Sequence, residues 1–290
     1  MPARITQATT TTVALRGLQA NLGRTQALQE QLSSGKRIFQ PSDDPAATAA
    51  SMQLRSARMA DEQYQRNSDL ARGRLSVTDT ALQQLTTRVS SVRELMVASN
   101  SGALGTAGRS ALAAQVDAIR AEVVGIYNTT YLDRPVFGGT IQGKQAVNPT
   151  TGAYLGNNAP VETRISHDSL LRVDIKGTDA AADVLPGLLA TIATDIAAGG
   201  ATATDFTDID NAFTTLQKAL GDVGARAQRV ETTSDLVESH RLDLVSRISE
   251  NEDVDLPETI MNLQAQQVGY QAALGAAAKV LQQSLLDFLR

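Results

Sequence analysis

Apolar residues recur along this chain with a 3.5-residue period in three separate stretches, which predicts helices packed through narrow apolar seams. The clearest seam runs Leu75, Thr78, Leu82, Leu85, Val89, Val92, Met96. A second runs Leu112, Val116, Ile119, Val123, Ile126, and a third runs from Phe213 through Leu216, Leu220, Val223, Ala227, Val230, Ser234, Val237, Arg241 and Leu244 to Ile248. Gly102 and Gly105 stand between the first two seams, so those helices are expected to form an antiparallel hairpin with a Gly-rich turn. The first helix has a start signal in Pro41-Ser42-Asp43-Asp44-Pro45: an Asp carboxylate can cap free backbone N–H groups, and Pro suits the first turn. Unbroken from Pro45 to Asn100 it would be a rod of roughly 85 Å, with Gly73 its candidate interruption.

Between residues 138 and 187 the heptads give way to Gly, Pro and Asn and to strict alternation. Val161, Thr163, Ile165 and then Leu171, Val173, Ile175 alternate with Glu162, Arg164, Arg172, Asp174 and Lys176, a strand pattern, with Ser166 to Ser169 as the hairpin loop. Both termini carry weaker amphipathic segments. The first passes through Leu15, Leu18, Leu22 and Leu32, the last through Leu256, Ile260, Leu263, Tyr270, Leu274, Ala277, Leu281 and Phe288. Lone amphipathic helices are marginal, so each is expected to need the other or a neighbouring subunit.

Composition sharpens this picture. The chain has 290 residues, no Trp, no Cys, and five each of Tyr and Phe. A bulky core is therefore not expected, whereas rods of Ala, Leu and Val helices are. The net charge of -5 and pI near 5.1 argue against a general nucleic-acid or anionic-membrane binder. Charge is uneven, however: residues 1–40 hold Arg4, Arg16, Arg24, Lys36 and Arg37 against Glu30, while 251–290 hold Glu252, Asp253, Asp255, Glu258 and Asp287 against Lys279 and Arg290. The two ends are complementary in sign. The chain shows neither a long apolar run nor a Sec-type leader pattern, so no membrane span is expected.

Candidate chemistry is sparse. His167 falls in the expected hairpin turn and His240 on a helix, each read as a solvated residue. Asp43 and Asp44 are read as helix caps rather than a carboxylate pair. Gly138-Gly139 lacks the Lys-Ser or Lys-Thr of a phosphate loop, and the Gly/Ala run 197–203 reads as a linker. No catalytic, cofactor or metal site is expected, and no enzyme. What remains is apolar surface at both ends that a helical monomer would leave exposed.

Gln31-Leu32-Ser33-Ser34-Gly35-Lys36-Arg37-Ile38 followed by Pro41-Ser42-Asp43-Asp44-Pro45-Ala46 resembles the N-terminal signature of the flagellin superfamily. Pro on both sides of the Asp pair is similar to the hook-associated members more than to filament flagellin. Phe137-Gly138-Gly139-Thr140, Tyr154-Leu155-Gly156-Asn157-Asn158 and the end Ser284-Leu285-Leu286-Asp287-Phe288-Leu289 add to the resemblance. It implies a mainly α fold with a small β-rich insert, an elongated helical bundle whose termini pack together. Its parts would be 1–40 with 251–290 as an inner coiled coil, 41–137 with 188–250 as a helical stem, and 138–187 as an outer β domain. It also implies a ring of subunits at the hook–filament junction, between a hook-side partner (FlgK) and flagellin. Export through the flagellar type III path without a cleaved signal follows, with the chaperone FlgN on the C-terminal helix. The expected assembly contacts are Leu18, Leu22, Leu263, Leu274, Leu281 and Leu285. The alternatives are a short flagellin and, from another class, a secreted coiled-coil effector.

Overall fold

The structure is a computed structural model that describes residues 7–101 and 105–288, with side chains over 12–101 and 105–279. The described chain is mainly helical: α1 (Gln7–Ser34), α2 (Pro45–Ser99), α3 (Thr106–Tyr127), α4 (Leu185–Ala198), α5 (Ala203–Glu252) and α6 (Leu256–Phe288). Two antiparallel strand pairs lie between α3 and α4: β1 (Thr130–Tyr131) with β2 (Arg134–Pro135), and β3 (Glu162–Arg164) with β4 (Leu170–Arg172). The chain divides into two compact units, residues 1–58 with 242–290, and residues 59–241.

In the second unit the apolar seams are the core. Leu75, Thr78, Leu82, Leu85, Val89, Val92 and Met96 are all buried, as are Val116 and Val123 of α3 and Leu216, Val223 and Val230 of α5. Ala212 and Ala219 are enclosed while Phe213 and Leu220 are only partly buried, so this part of the α5 seam sits one residue earlier than the large side chains suggest. Ion pairs and hydrogen bonds fix the direction of pairing: Asp61 with His240, Gln65 with Ser234, Arg72 with Glu231 and Arg93 with Asp210 show numbering falling along α5 as it rises along α2. These α2 and α5 segments are antiparallel.

Gly73 does not interrupt α2. A Cβ there would lie 2.5 Å from the Tyr131 hydroxyl oxygen, so the glycine is where the β1–β2 hairpin comes close to the helix. The expected alternation is present at Ile165, Leu171, Val173 and Ile175, which are buried. Asp174 breaks it by being fully buried too, with its carboxylate accepting the Val161 N–H at 2.8 Å and two Arg172 N–H groups at 2.8 and 2.9 Å. The hairpin loop spans residues 165–169, one residue longer than expected, with the Ile165 N–H bonded to the Ser169 carbonyl.

Two features were missed. α4 has apolar residues around most of its circumference, which hides a helical period; Leu185, Leu189, Ile192 and Ile196 are buried and the helix packs on α3. Residues 178–198 are long and apolar enough to cross a membrane by composition, but half of that stretch is buried within the unit. The Gly/Ala run is not a free linker. Ala201 is buried, with its N–H donated to Ser99 Oγ and its carbonyl accepting from Asn100 Nδ2. Thr202 and Asp205 then form a reciprocal cap at the start of α5.

Candidate functional site: the paired termini

In the first unit α1 packs along α6, and the Gln266 Nε2–Asn21 Oδ1 bond of 3.1 Å with the Lys36–Asp253 bridge sets them antiparallel. The seam of α1 is Ala14, Leu18, Asn21, Thr25, Leu28 and Leu32, all half-buried. That of α6 is Thr259, Leu263, Gln266, Tyr270, Ala273 and Ala277, of which only Thr259 is fully buried. The pairing surface is thus small and partly polar. Several large apolar side chains lie beside it or opposite it. Leu22 is 44% exposed and Leu274 43%, while Val13, Leu15, Met261 and Val268 each exceed half exposure. At about 100° per residue, Met261 and Val268 project on the side of α6 away from the α1 seam.

Of the expected assembly contacts, Leu18 and Leu263 therefore lie on the α1–α6 seam and Leu22 and Leu274 on open surface beside it. Leu281 and Leu285 fall in α6 where side chains lie outside the described residues. Asp44 Oδ1 accepts the Ala47 N–H at 2.9 Å, the N-cap position of α2. Asp43 serves the preceding loop instead, its Oδ2 accepting the N–H groups of Phe39 and Gln40 at 3.0 and 2.9 Å.

Where α1 gives way to α2 and α5 to α6, the two connections are tied to each other. Gly35 closes α1 with φ +72°, a left-handed conformation that glycine adopts without strain. The chain then runs beside residues 251–254: the Arg37 N–H donates to the Glu252 carbonyl at 2.7 Å and the Val254 N–H to the Gly35 carbonyl at 3.1 Å. Glu252 is the centre of this junction. Its buried carboxylate takes Arg55 bidentately, Nε at 2.9 Å and Nη2 at 2.6 Å, and Lys36 Nζ at 3.4 Å. Lys36 Nζ also reaches Asp253, Arg37 Nη2 donates to the Asn251 carbonyl, and Asn251 Nδ2 donates to the Ala47 carbonyl and Ser51 Oγ. Arg55 holds the Glu252 carboxyl below its usual range, Lys36 does the same for Asp253, and Asp253 holds Lys36 above its own. Ile38, Phe39, Pro41 and Met52 line a 250 Å³ groove against this cluster. The complementary charge of the two ends hinted at the junction; the partner Arg55, far from either terminus in sequence, carried no signal.

His167 is exposed in the β3–β4 turn beside Asp168 at 2.7 Å. His240 is half-exposed and bonds Asp61 through Nδ1 at 2.7 Å, so it belongs to the α2–α5 pairing rather than to a reactive site. Among the described residues no group of three or more His, Asp or Glu could hold a metal ion.

The model of the bacterial flagellin N-terminal helical region matches residues 5–135, and that of the flagellin C-terminal helical region matches residues 206–289. The chain belongs to the flagellin family. This flagellin-family chain is 24% identical over 291 positions to flagellar hook-associated protein 3 of Escherichia coli, covering 90% of this chain and 92% of that one. It is 25% identical over 282 positions to a flagellar filament 30.7 kDa core protein of Treponema maltophilum, with 95% and 96% covered. Its fold is that of a flagellar hook-associated protein from Vibrio parahaemolyticus, at a TM-score of 0.64 and 17% identity over 73% of this chain and all of that one. The family matches fall on the segments that hold α1 to α3 and α5 to α6, and the segment between them, with β3, β4 and α4, lies outside both. This flagellin-family protein is a flagellar component.

Proposed function

We propose that this chain is the FlgL-type structural subunit of the hook–filament junction, forming a ring that joins a hook-side FlgK to flagellin. It acts by packing rather than by catalysis. The observation that carries the reading is the exposed apolar surface of the terminal pair: Val13, Leu15, Leu22, Met261, Val268 and Leu274 are open while the α1–α6 seam uses Asn21, Thr25 and Gln266. A surface built this way is stabilised by burial in an assembly, at about 1.5–3 kcal/mol per fully enclosed large side chain. The proposed parts are residues 1–40 with 251–290 as the inner coiled coil, 41–137 with 188–250 as the stem, and 138–187 as the outer part. Similarity to the E. coli hook-associated protein over nearly the whole chain supports this reading. In the same proposal the subunit leaves the cell through the flagellar type III path, escorted by FlgN on the C-terminal helix.

The competing reading is a short filament flagellin, favoured by the similarity to the Treponema filament core protein over a comparable length. Electron microscopy of the purified chain, alone and mixed with flagellin and the hook-side partner, separates the two. A junction subunit incorporates between hook and filament and makes no long filament alone; long homopolymers mean flagellin. Val268→Asp with Leu274→Asp is expected to leave the circular dichroism of the second unit intact and to abolish incorporation. Incorporation of that variant at the normal level would remove the exposed face from the reading.

A further inference from the structure

Two local rules are broken at one residue of the second unit. β1 and β2 pair Tyr131 with Arg134, so Leu132 and Asp133 form a two-residue hairpin loop, and both are left-handed, at φ +50° and +61°. Asn-Gly or Asp-Gly takes such a turn without strain, whereas a bulky aliphatic residue does not. Leu132 is also 70% exposed, and among the described residues no large apolar side chain is more so. The free chain thus carries a backbone cost and a solvation cost at Leu132 with little packing in return, which points to a partner outside the molecule. Leu132 does not stand alone. Asp133 Oδ1 lies 3.3 Å from Lys144 Nζ, and a Cβ on Gly138 would lie 2.7 Å from Pro135 Cγ of β2 and 2.8 Å from Ile141 Cδ1, so the loop holding Ile141 and Lys144 runs beside the hairpin. With Leu155, 49% exposed, those two residues line an open groove of 370 Å³. Leu132, Ile141 and Leu155 therefore belong to one apolar surface around the Asp133–Lys144 pair.

We propose that this surface is a contact between copies of this chain, with Leu132 as its apolar knob. The inference rests on the reading of the chain as a hook–filament junction subunit, in which copies stand side by side. Two observations favour a second copy as the occupant. Ile141, Lys144 and Leu155 fall between the segments matched by the two flagellin models, so they are not supplied by the helices that the family shares. A patch of this chain's own suits a neighbour that is the same chain. The rim also holds two bases, Arg134 and Lys144, against the single acid Asp133, while the whole chain carries a net charge of -5, so a second copy approaches it with the opposite average charge. A knob that meets a different surface of the next copy makes a heterologous contact, the class that closes rings. The left-handed Leu is then retained because enclosing its side chain in the assembly outweighs the strain that the free chain carries.

Leu132→Asn replaces the knob with a residue suited to the turn. The free full-length variant is expected to melt about 2–4 °C higher than the wild type by circular dichroism, and to incorporate into the assembly on the order of tenfold less. A melting temperature at or below that of the wild type would mean that Leu132 is unstrained or packed within the free chain, and overturns the proposal; so does incorporation at the normal level. The chain has no cysteine, so Leu132→Cys can carry a single benzophenone label in assemblies whose unlabelled copies are isotope-enriched. Photolysis is expected to join the label to a heavy peptide of this chain, the mark of a link between copies. Cross-links confined to flagellin or the hook-side partner overturn the choice of a second copy, and cross-links to no other chain overturn the surface itself. The melting test needs no assembly, and if the chain makes filaments alone the cross-link is read in them, so this contact can fail while the junction reading stands, and the reverse.

Discussion

Asp174 shows how a single side chain can decide a local structure that its neighbours only suggest. It is fully buried, yet it satisfies the Val161 N–H and both Arg172 donors, and its own carbonyl accepts from Arg226 Nη1. Removing it takes away the hydrogen bonds of the Val161 amide and of the Arg172 guanidinium, itself mostly buried. Asp174→Ala is therefore expected to destabilise the second unit by roughly 3 kcal/mol, and Asp174→Asn by less because it keeps one acceptor oxygen. Urea unfolding followed by circular dichroism measures both, and an alanine variant within 0.5 kcal/mol of the wild type would contradict the assignment. Alternation placed Asp174 on the solvent side. Period-2 patterning reports which face a residue shares, but not that a carboxylate has been brought inside by an arginine two residues away.

At the scale of elements, the seams divide into two kinds. Leu82 sits in a seam whose members are fully enclosed, whereas Leu22 lies on an exposed flank of α1. Leu82→Ala removes packed atoms and is expected to cost about 2–5 kcal/mol, while Leu22→Ala should change monomer stability by less than about 0.5 kcal/mol. Thermal melts of the two variants test the contrast, and equal losses would mean that Leu22 is buried in the free chain. The seams of α2, α3 and α5 were legible because Leu, Val and Met repeat at 3.5 residues. Those of α1 and α6 were legible in part: Leu18, Leu32, Leu263, Tyr270 and Ala277 lie on the facing sides, but Ala14, Asn21, Thr25, Thr259, Gln266 and Ala273 share those sides, so Leu15, Leu22 and Leu274 draw the apolar stripe toward the open surface. α4 was illegible for the opposite reason, since an element apolar on most sides has no stripe.

For the whole molecule, the division into two units separates two sources of stability. The second unit rests on the large apolar cluster from Leu75 to Val230. Among the described residues the first encloses few apolar side chains, so its ion pairs weigh more there. The charge asymmetry of the termini was readable from the sequence, and Lys36 with Glu252 and Asp253 realises part of it. That it is concentrated at one junction, with Arg55 as the bidentate partner, was not readable, because that needs the fold to bring together residues about 200 positions apart. The consequence is a pH dependence with a definite sign. Glu252 and Asp253 are held below their ordinary values of 4.5 and 3.8, so their contribution is present above that range and disappears as pH falls through the lower folded values. Lys36 is held above 10.5, so its contribution is present below that value and is lost only as pH rises past its folded one. Between these limits the first unit's stability should be flat with respect to these groups, and because Lys36, Arg55 and Asp253 are substantially exposed, salt should weaken it. Hydrogen exchange at the Arg37 and Val254 amides, followed from neutral pH to below about pH 3 with correction for intrinsic rates, should show protection falling only at the acid end. In Glu252→Gln the same amides should begin less protected and lose part of that acid dependence, since the share due to Glu252 is gone while that of Asp253 remains. An acid response of equal size in the variant would place its origin outside Glu252.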